Sequence, residues 1–365
     1  MSTQATNRKP SLDIIRCLAL LTVAGVHFFL HSDYYNTPIV GGKMYAFTLI
    51  RQFCMICVPL FIILSGYLMS KHTVSAKFYK KIIYILSIYF MASVCCTLFK
   101  VLYQNEQFNL IKFVQKILNF SAAPYSWYVE MYIGLFLLCP FLNSAYNNLK
   151  SKKEKTVLIL TMLFLSALPH IVNIYRPDLQ WFSNPTSSQS YVKLIPSYWT
   201  TLYPISYYFL GCYLKEFKLK IKPRNIFLLS VLTFFISGTF AYYRSYGAKF
   251  IRGSWQDHPS LLVVIQTVLL FAFFDNLNYE KAPAKLSRIL AKLSSITFGA
   301  YLLSWIFDTA FYKILKQHAP TMPEQFNYFI IITLASYICS LAASYVLELI
   351  YSLISRLLLK IKSQK

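Results

Sequence analysis

Charged residues are scarce in this sequence. Asp, Glu, Lys and Arg make up 13% of its 365 residues, whereas hydrophobic residues make up 56%. Because a soluble protein of this length carries about twice that charged fraction, the composition excludes an ordinary soluble domain. The apolar residues cluster instead into segments of about 20 residues, the length that a helix needs to cross ~30 Å of hydrocarbon.

Acidic residues are the scarcer charges, with 13 Asp and Glu against 36 Lys and Arg. The resulting net charge of +23 would suit a nucleic-acid binder, but its distribution follows the apolar segments. If the N-terminus lies in the cytoplasm, the cytoplasmic segments hold 23 Lys and Arg and the outer loops hold 9. This asymmetry is the positive-inside pattern, so the charge indicates membrane topology and no nucleic-acid partner.

The sequence therefore predicts an all-α fold, a polytopic transmembrane bundle of about ten helices with both termini in the cytoplasm. Residues 1–365 form one membrane-embedded domain, with a cytoplasmic N-terminal segment (1–11) and a basic cytoplasmic tail (355–365). The predicted spans are 12–30, 47–68, 82–103, 126–145, 157–175, 198–214, 226–243, 260–278, 294–315 and 327–354.

Two outer loops are long. Residues 104–125 include FNLIKFVQKILNF, whose apolar positions recur every three or four residues, and they predict a helix lying at the outer interface. Residues 176–197 are polar with scattered aromatics. We interpret them as an ordinary interfacial loop, with contact to a sugar-like ligand as the alternative.

A metal or disulfide framework is not expected. All eight cysteines fall within predicted spans. Cys54 and Cys57 have the spacing of a zinc or redox pair, but no second pair or nearby histidine cluster accompanies them. We therefore expect no metal and interpret these cysteines as packing residues.

Two ionisable residues, Arg16 and His27, interrupt the first predicted span. Each costs several kcal/mol in hydrocarbon. Their spacing in a helix places them on one face, roughly 16 Å apart along the axis, so this face is predicted to line a cavity. Asp13 is close enough to pair with Arg16, and His31 shares the face of His27 and is a candidate for binding an acceptor in an outer vestibule.

The predicted depth of Arg51 in the membrane suggests what chemistry the cavity supports. Arg51, early in the second span, is predicted to lie level with His27. A long anionic molecule held at Arg16, with the shape of coenzyme A, would extend its arm toward His27. His27 would act as a general base on an acceptor hydroxyl, and Arg51 would stabilise the oxyanion or bind an acidic part of the acceptor.

Two carboxylates in predicted spans leave alternatives open. Glu130, beside Trp127 and Tyr128, either orients His27, binds sugar hydroxyls, or is interfacial and solvated. Asp308, with Lys313 nearby, is interpreted as structural or interfacial.

Five motifs occur in an order typical of one enzyme family. IIRCLALLTVAGVHFF contains an Arg-x10-His pattern, and VPLFIILSGYLM follows in the next span. The others are WYVEMYIGLFLLCP, YYFLGCYL and SSITFGAYLL. In these motifs the chain resembles membrane acyltransferase family 3, the integral membrane O-acyltransferases.

The resemblance implies transfer of an acyl group, usually acetyl from cytoplasmic acetyl-CoA, to a hydroxyl of an envelope glycan or lipid-linked saccharide. It places the chain among membrane lipids in a bacterial cytoplasmic membrane, with acetyl-CoA as donor substrate. The family's arginine and histidine fall on Arg16 and His27, and Trp127 and Tyr128 are candidate acceptor contacts. Relatives often carry a second arginine where this chain has Met55, and a late histidine near the place of Ser304.

A transporter or flippase for a glycan or anionic solute is the alternative, since spans with buried cations suit it too. The sequence shows neither an inverted repeat nor paired broken helices, which argues against transport. A non-catalytic scaffold would leave Arg16 and His27 unexplained.

Overall fold

The computed structural model describes residues 9–173, 192–279 and 283–363. Within these ranges the chain forms helices and contains no strand beyond two isolated bridges, so the all-α prediction is confirmed. The helices of nine or more residues are α1 Pro10–His31, α2 Gly41–Cys54, α3 Cys57–Met69, α4 Ile82–Tyr103, α5 Leu110–Leu118, α6 Trp127–Asn148, α7 Lys152–Ser166, α8 Tyr203–Glu216, α9 Pro223–Ser245, α10 Leu261–Asn276, α11 Ala284–Ser295, α12 Thr297–His318 and α13 Phe329–Ser363.

The chain is a multi-pass membrane protein. Six of its described segments are long and apolar enough to cross a bilayer, and α11 with α12, bent by 65°, makes a seventh if the pair is one span. The six are Pro10–His31, Gly41–Met69, Ala76–Tyr103, Trp127–Asn148, Pro223–Ser245 and Met322–Lys360.

The predicted count of ten spans is not confirmed. Helices form at the remaining three predicted segments, but α7, α8 and α10 contain 15, 14 and 16 residues. At 1.5 Å per residue, each is shorter than the ~30 Å hydrocarbon core. The cytoplasmic placement of the termini stays a prediction.

The second predicted span is interrupted just before Pro59. The sequence predicts one continuous segment, 47–68, whereas α2 ends at Cys54 and α3 begins at Cys57. Pro59 has no N–H to donate to the carbonyl four residues earlier, at Met55, so this carbonyl loses its helical partner. The break frees a backbone acceptor inside the bundle.

Glycines allow the backbones of α3 and α8 to lie in direct contact. A Cβ added to Gly66 would lie 2.0 Å from the Tyr208 carbonyl oxygen, and one added to Gly211 would lie 2.2 Å from the Ile63 carbonyl oxygen. Small residues of this kind allow membrane helices to approach closely. Two of the five motifs therefore form a helix-packing contact.

The amphipathic segment within residues 104–125 forms the predicted helix. α5 has no buried residue, and Leu110, Ile111 and Leu118 are all exposed, as expected of a helix lying on the surface of the bundle. Of the other long loop, 176–197, the first sixteen residues lie outside the described ranges.

The two ends of α1 lie beside different parts of the chain. At its N-terminal end, the Lys9 ammonium donates to the Tyr67 hydroxyl at 2.8 Å and lies 3.8 Å from the Asp275 carboxylate. At its C-terminal end, the loop after α1 bridges to the loop after α9 through Pro38 and Lys249. Positive-inside topology assigns the first end to the cytoplasm as a prediction.

Candidate active site

The centre of the candidate site is a buried pair between α1 and α12. His27 Nδ1 lies 2.8 Å from Asp308 Oδ2. His27 is 6% exposed and Asp308 is fully buried, so neither faces lipid. A carboxylate that accepts from Nδ1–H orients the imidazole and leaves Nε2 as the nitrogen that takes up a proton.

Three donors from different parts of the chain converge on the Asp308 carboxylate. Besides His27, the Tyr125 hydroxyl donates to Oδ2 at 3.0 Å and the Ser336 hydroxyl donates to Oδ1 at 2.6 Å. A buried carboxylate is tolerated when its oxygens are satisfied in this way. The interpretation of Asp308 as merely structural or interfacial therefore missed its contact with His27.

Glu130 is not the carboxylate that orients His27. It lies in the first turn of α6 with an exposed side chain, whereas Asp308 makes the contact. The two carboxylates look alike in sequence, and only the packing of α12 against α1 selects Asp308. Contact of Glu130 with sugar hydroxyls stays a prediction.

Tyr125 joins the second histidine of α1 to this pair. Its ring stands 3.9 Å from the His27 ring, centroid to centroid. Because its hydroxyl donates to Asp308, it accepts a hydrogen bond from His31 Nε2–H, at 2.7 Å. His31 also stacks on Tyr312, so its ring is held within the protein network. Its predicted role in acceptor binding is untested.

Arg16 lines a cavity at the N-terminal end of α1. The cavity has a volume of about 340 Å³. Arg16 Nη1 donates to the Ser294 hydroxyl at 3.3 Å, and Asp13 is buried one turn earlier. The polar side chains that line the cavity include Arg16, Ser65, Lys81, Tyr132, Ser294 and Ser295.

The cavity follows the predicted face of α1 only in part. It reaches Val23, one turn before His27, but His27 is not among its lining residues. The Tyr301 hydroxyl donates to the Tyr125 carbonyl oxygen, and the Tyr125 ring covers His27. The predicted passage is therefore observed at Arg16, and the cavity does not extend to His27.

Arg51 is buried in a polar cluster with residues of the loop after α1 and the loop after α9. Its guanidinium donates to the Tyr35 hydroxyl at 3.2 Å and to the Gln256 side chain at 3.3 Å, and lies 3.8 Å from Asp257 Oδ1. The structure shows no contact between Arg51 and His27. Loop residues distant in sequence engage the guanidinium, and the predicted role of Arg51 at the oxyanion stays a prediction.

Of the two candidate acceptor contacts, Trp127 is 44% exposed, whereas Tyr128 is 7% exposed and lines the Arg16 cavity.

His258, a residue that the sequence did not single out, lies beside Trp127 with its ring nearly parallel to the indole. His258 Nδ1 contacts the Met55 carbonyl oxygen at 3.0 Å. Burial lowers the pKa of His258 to about 4, so this ring is neutral at neutral pH. Pro59, four residues after Met55, was the available signal that this carbonyl needs a donor from elsewhere.

A family comparison identifies the framework that carries this geometry. The family model described as an acyltransferase domain matches residues 9–348. The chain belongs to acyltransferase family 3. Comparison with curated proteins and with solved structures gives no match.

The family membership confirms the resemblance and makes this chain a membrane acyltransferase. The matched range contains both α1, with Arg16 and His27, and α12, with Asp308. Ser304, near the place of the late histidine of relatives, is buried and donates to the Tyr301 carbonyl at 2.8 Å. In the described ranges of the acyltransferase, no three His, Cys, Asp or Glu side chains are placed to hold a metal ion.

Proposed function

We propose that this acyltransferase moves an acyl group, preferably acetyl, from cytoplasmic acyl-CoA to a hydroxyl of an envelope glycan or lipid-linked saccharide. His27 is the general base and Asp308 orients it. The observation that carries the proposal is the buried contact between His27 Nδ1 and Asp308, which presents Nε2 as the proton acceptor. A bacterial cytoplasmic membrane is the proposed location.

The proposed reaction balances with these two side chains. His27 Nε2 takes the proton of the acceptor hydroxyl as its oxygen attacks the thioester carbonyl carbon. A carbon–oxygen bond forms, the carbon–sulfur bond breaks, and the imidazolium returns its proton to the departing thiolate. Asp308 stabilises the imidazolium while it exists, and it does not itself need to take the proton.

The Arg16 cavity supports the placement of the donor. Arg16 and Lys81 supply positive charge, which suits phosphate groups, whereas Val23, Val58 and Phe61 supply apolar wall. Tyr301 lines this cavity and donates to the Tyr125 carbonyl oxygen, and the Tyr125 ring contacts His27. We propose that these two side chains move to let the acyl group reach Nε2. We propose that Asp13 supports Arg16 and that the donor's extended arm lies along α1.

The acceptor side is proposed at the C-terminal end of α1, and the exposed Trp127 follows two residues after Tyr125, whose ring contacts His27. Arg51 is proposed to shape this end through Asp257, in place of direct oxyanion contact. The family membership favours acyl transfer over the transporter or flippase that the sequence left open.

A transfer assay tests this function. It combines membranes containing the protein with acetyl-CoA radiolabelled in the acetyl group and with envelope glycan from cells lacking the protein. The proposal expects label in the glycan with the wild type and background label with empty membranes. His318→Ala, an exposed histidine at the end of α12, is the matched control and should transfer normally. Movement of glycan across the membrane without label would instead support the transporter.

A further inference from the structure

The loop between α9 and α10 places a histidine against the broken second span. His258 Nδ1 contacts the Met55 carbonyl oxygen at 3.0 Å, the acceptor that Pro59 leaves without a helical donor. Nδ1 must therefore carry the hydrogen, because a carbonyl only accepts. In the neutral ring, Nε2 is then left with a lone pair and is a hydrogen-bond acceptor.

The backbone of this loop is anchored as well. The Tyr207 hydroxyl donates to the His258 carbonyl at 2.6 Å, and Gln256, two residues earlier, accepts from Arg51. His258 is thus held by its ring and by its backbone. A ring held in this way presents Nε2 in a defined direction before any ligand binds.

An exposed aromatic surface adjoins the His258 ring. Trp127 lies at 16° to it with ring centroids 6.2 Å apart, and its side chain remains 44% exposed. Trp127 follows two residues after Tyr125, whose ring contacts His27. The indole therefore contacts the His258 loop and lies two residues along the chain from the Tyr125 that contacts His27.

A carboxylate completes the group. The Asp257 side chain is 50% exposed, and its Oδ1 lies 3.8 Å from Arg51 Nη2. Arg51 is buried and has other partners in Tyr35 and Gln256, so it orients Asp257 while leaving the carboxylate open to solvent. An accessible carboxylate accepts hydrogen bonds from hydroxyl groups and disfavours an acidic ligand.

We propose that Trp127, Asp257 and His258 form the subsite that binds a neutral sugar ring of the acceptor. The apolar face of the sugar packs on the indole, and its hydroxyls donate to the Asp257 carboxylate and to His258 Nε2. Asp257 and His258 are new to the site, while His31 is committed to Tyr125 and Tyr312. This inference rests on the proposed function, because it concerns the acceptor of that reaction.

Two conservative variants test the subsite. Asp257→Asn removes the charge, and His258→Asn keeps an N–H that can reach the Met55 carbonyl while removing the Nε2 acceptor. Asp33→Asn is the control. Asp33 lies in the loop after α1, outside the subsite, and its carboxylate is 48% exposed and paired with Lys316 of α12. The assay uses labelled acetyl-CoA and the envelope glycan fraction, and it varies each substrate separately.

The subsite predicts that each variant raises the KM for glycan about tenfold, the loss expected for one hydrogen bond to a bound ligand. The kcat and the KM for acetyl-CoA should stay within about twofold, and Asp33→Asn should match the wild type. A wild type that transfers no label overturns the proposed function and the subsite with it. An active wild type with unchanged glycan KM in both variants, or with donor and acceptor parameters impaired alike, overturns the subsite alone.

Discussion

Asp308 contacts Nδ1 of His27 at 2.8 Å although 281 residues separate the two in sequence. The pair lies between α1 and α12, within the core of the bundle. Such a contact both orients the imidazole and favours its protonated form during proton transfer. The proposed role of His27 as a base therefore depends on a residue from the other half of the chain.

Asp308→Asn tests this dependence. An amide has nearly the same volume but no charge, and it can present N–H to Nδ1, which selects the wrong tautomer. We expect kcat to fall by about 10²–10⁴, with the KM for acetyl-CoA changed little. Transfer kinetics in purified protein measure both constants. A kcat within about threefold of the wild type would remove Asp308 from the mechanism.

Arg16→Ala tests the donor site. Loss of the guanidinium removes a positive charge from the cavity wall, so the KM for acetyl-CoA should rise at least about tenfold. Arg288→Ala is the matched control, because Arg288 is exposed on α11, the helix that also carries Ser294. Equal donor KM values in the two variants would argue that coenzyme A binds elsewhere.

Gly66→Ala tests the close contact of α3 with α8. The added Cβ would lie 2.0 Å from the Tyr208 carbonyl oxygen, so the helices must separate, at a cost of about 1–3 kcal/mol or more. Gly134→Ala in α6 is the control, since nothing lies within 4 Å of its added Cβ. Thermal unfolding in detergent should show a lower Tm for the first variant only. Equal Tm values would show that α3 and α8 are not packed as described.

The half-buried ring of His258 predicts a stability change at acidic pH. Its folded-state pKa of about 4 lies below its ordinary value of 6.5, so the unfolded chain binds the proton more readily. The stability contributed by the neutral ring is fully present above pH 6.5 and is lost as the pH falls toward 4. Tm measured across this window should decline less in His258→Asn than in the wild type. Parallel curves would contradict the lowered pKa.

The first helix shows what sequence reasoning can predict. The segment 12–30 and the shared face of Arg16 and His27 follow from apolar length and helical spacing, and α1 forms at Pro10–His31. The partner Asp308 was not predictable, because the pairing of α1 with α12 is a property of the assembled bundle. Apolar composition likewise could not show that α7, α8 and α10 are shorter than a bilayer span.

The polar loops show a second limit on what can be predicted from the sequence. The position of Arg51 early in the predicted second span predicts its depth, but Tyr35 and Gln256, which engage its guanidinium, come from loops without periodicity. His258 carried no motif of its own. Its role was readable only from Pro59, whose missing N–H leaves the Met55 carbonyl in need of a donor.

The most direct test of the central claim is the rate of acyl transfer by His27→Ala with saturating acetyl-CoA and glycan. With its base removed, the variant should retain less than about 1% of the wild-type rate, since a general base contributes about 10²–10⁴. Its abundance in the membrane and its donor KM should stay near those of the wild type, and His318→Ala should be fully active. A normally inserted His27→Ala protein that transfers acetyl at the wild-type rate would contradict the account.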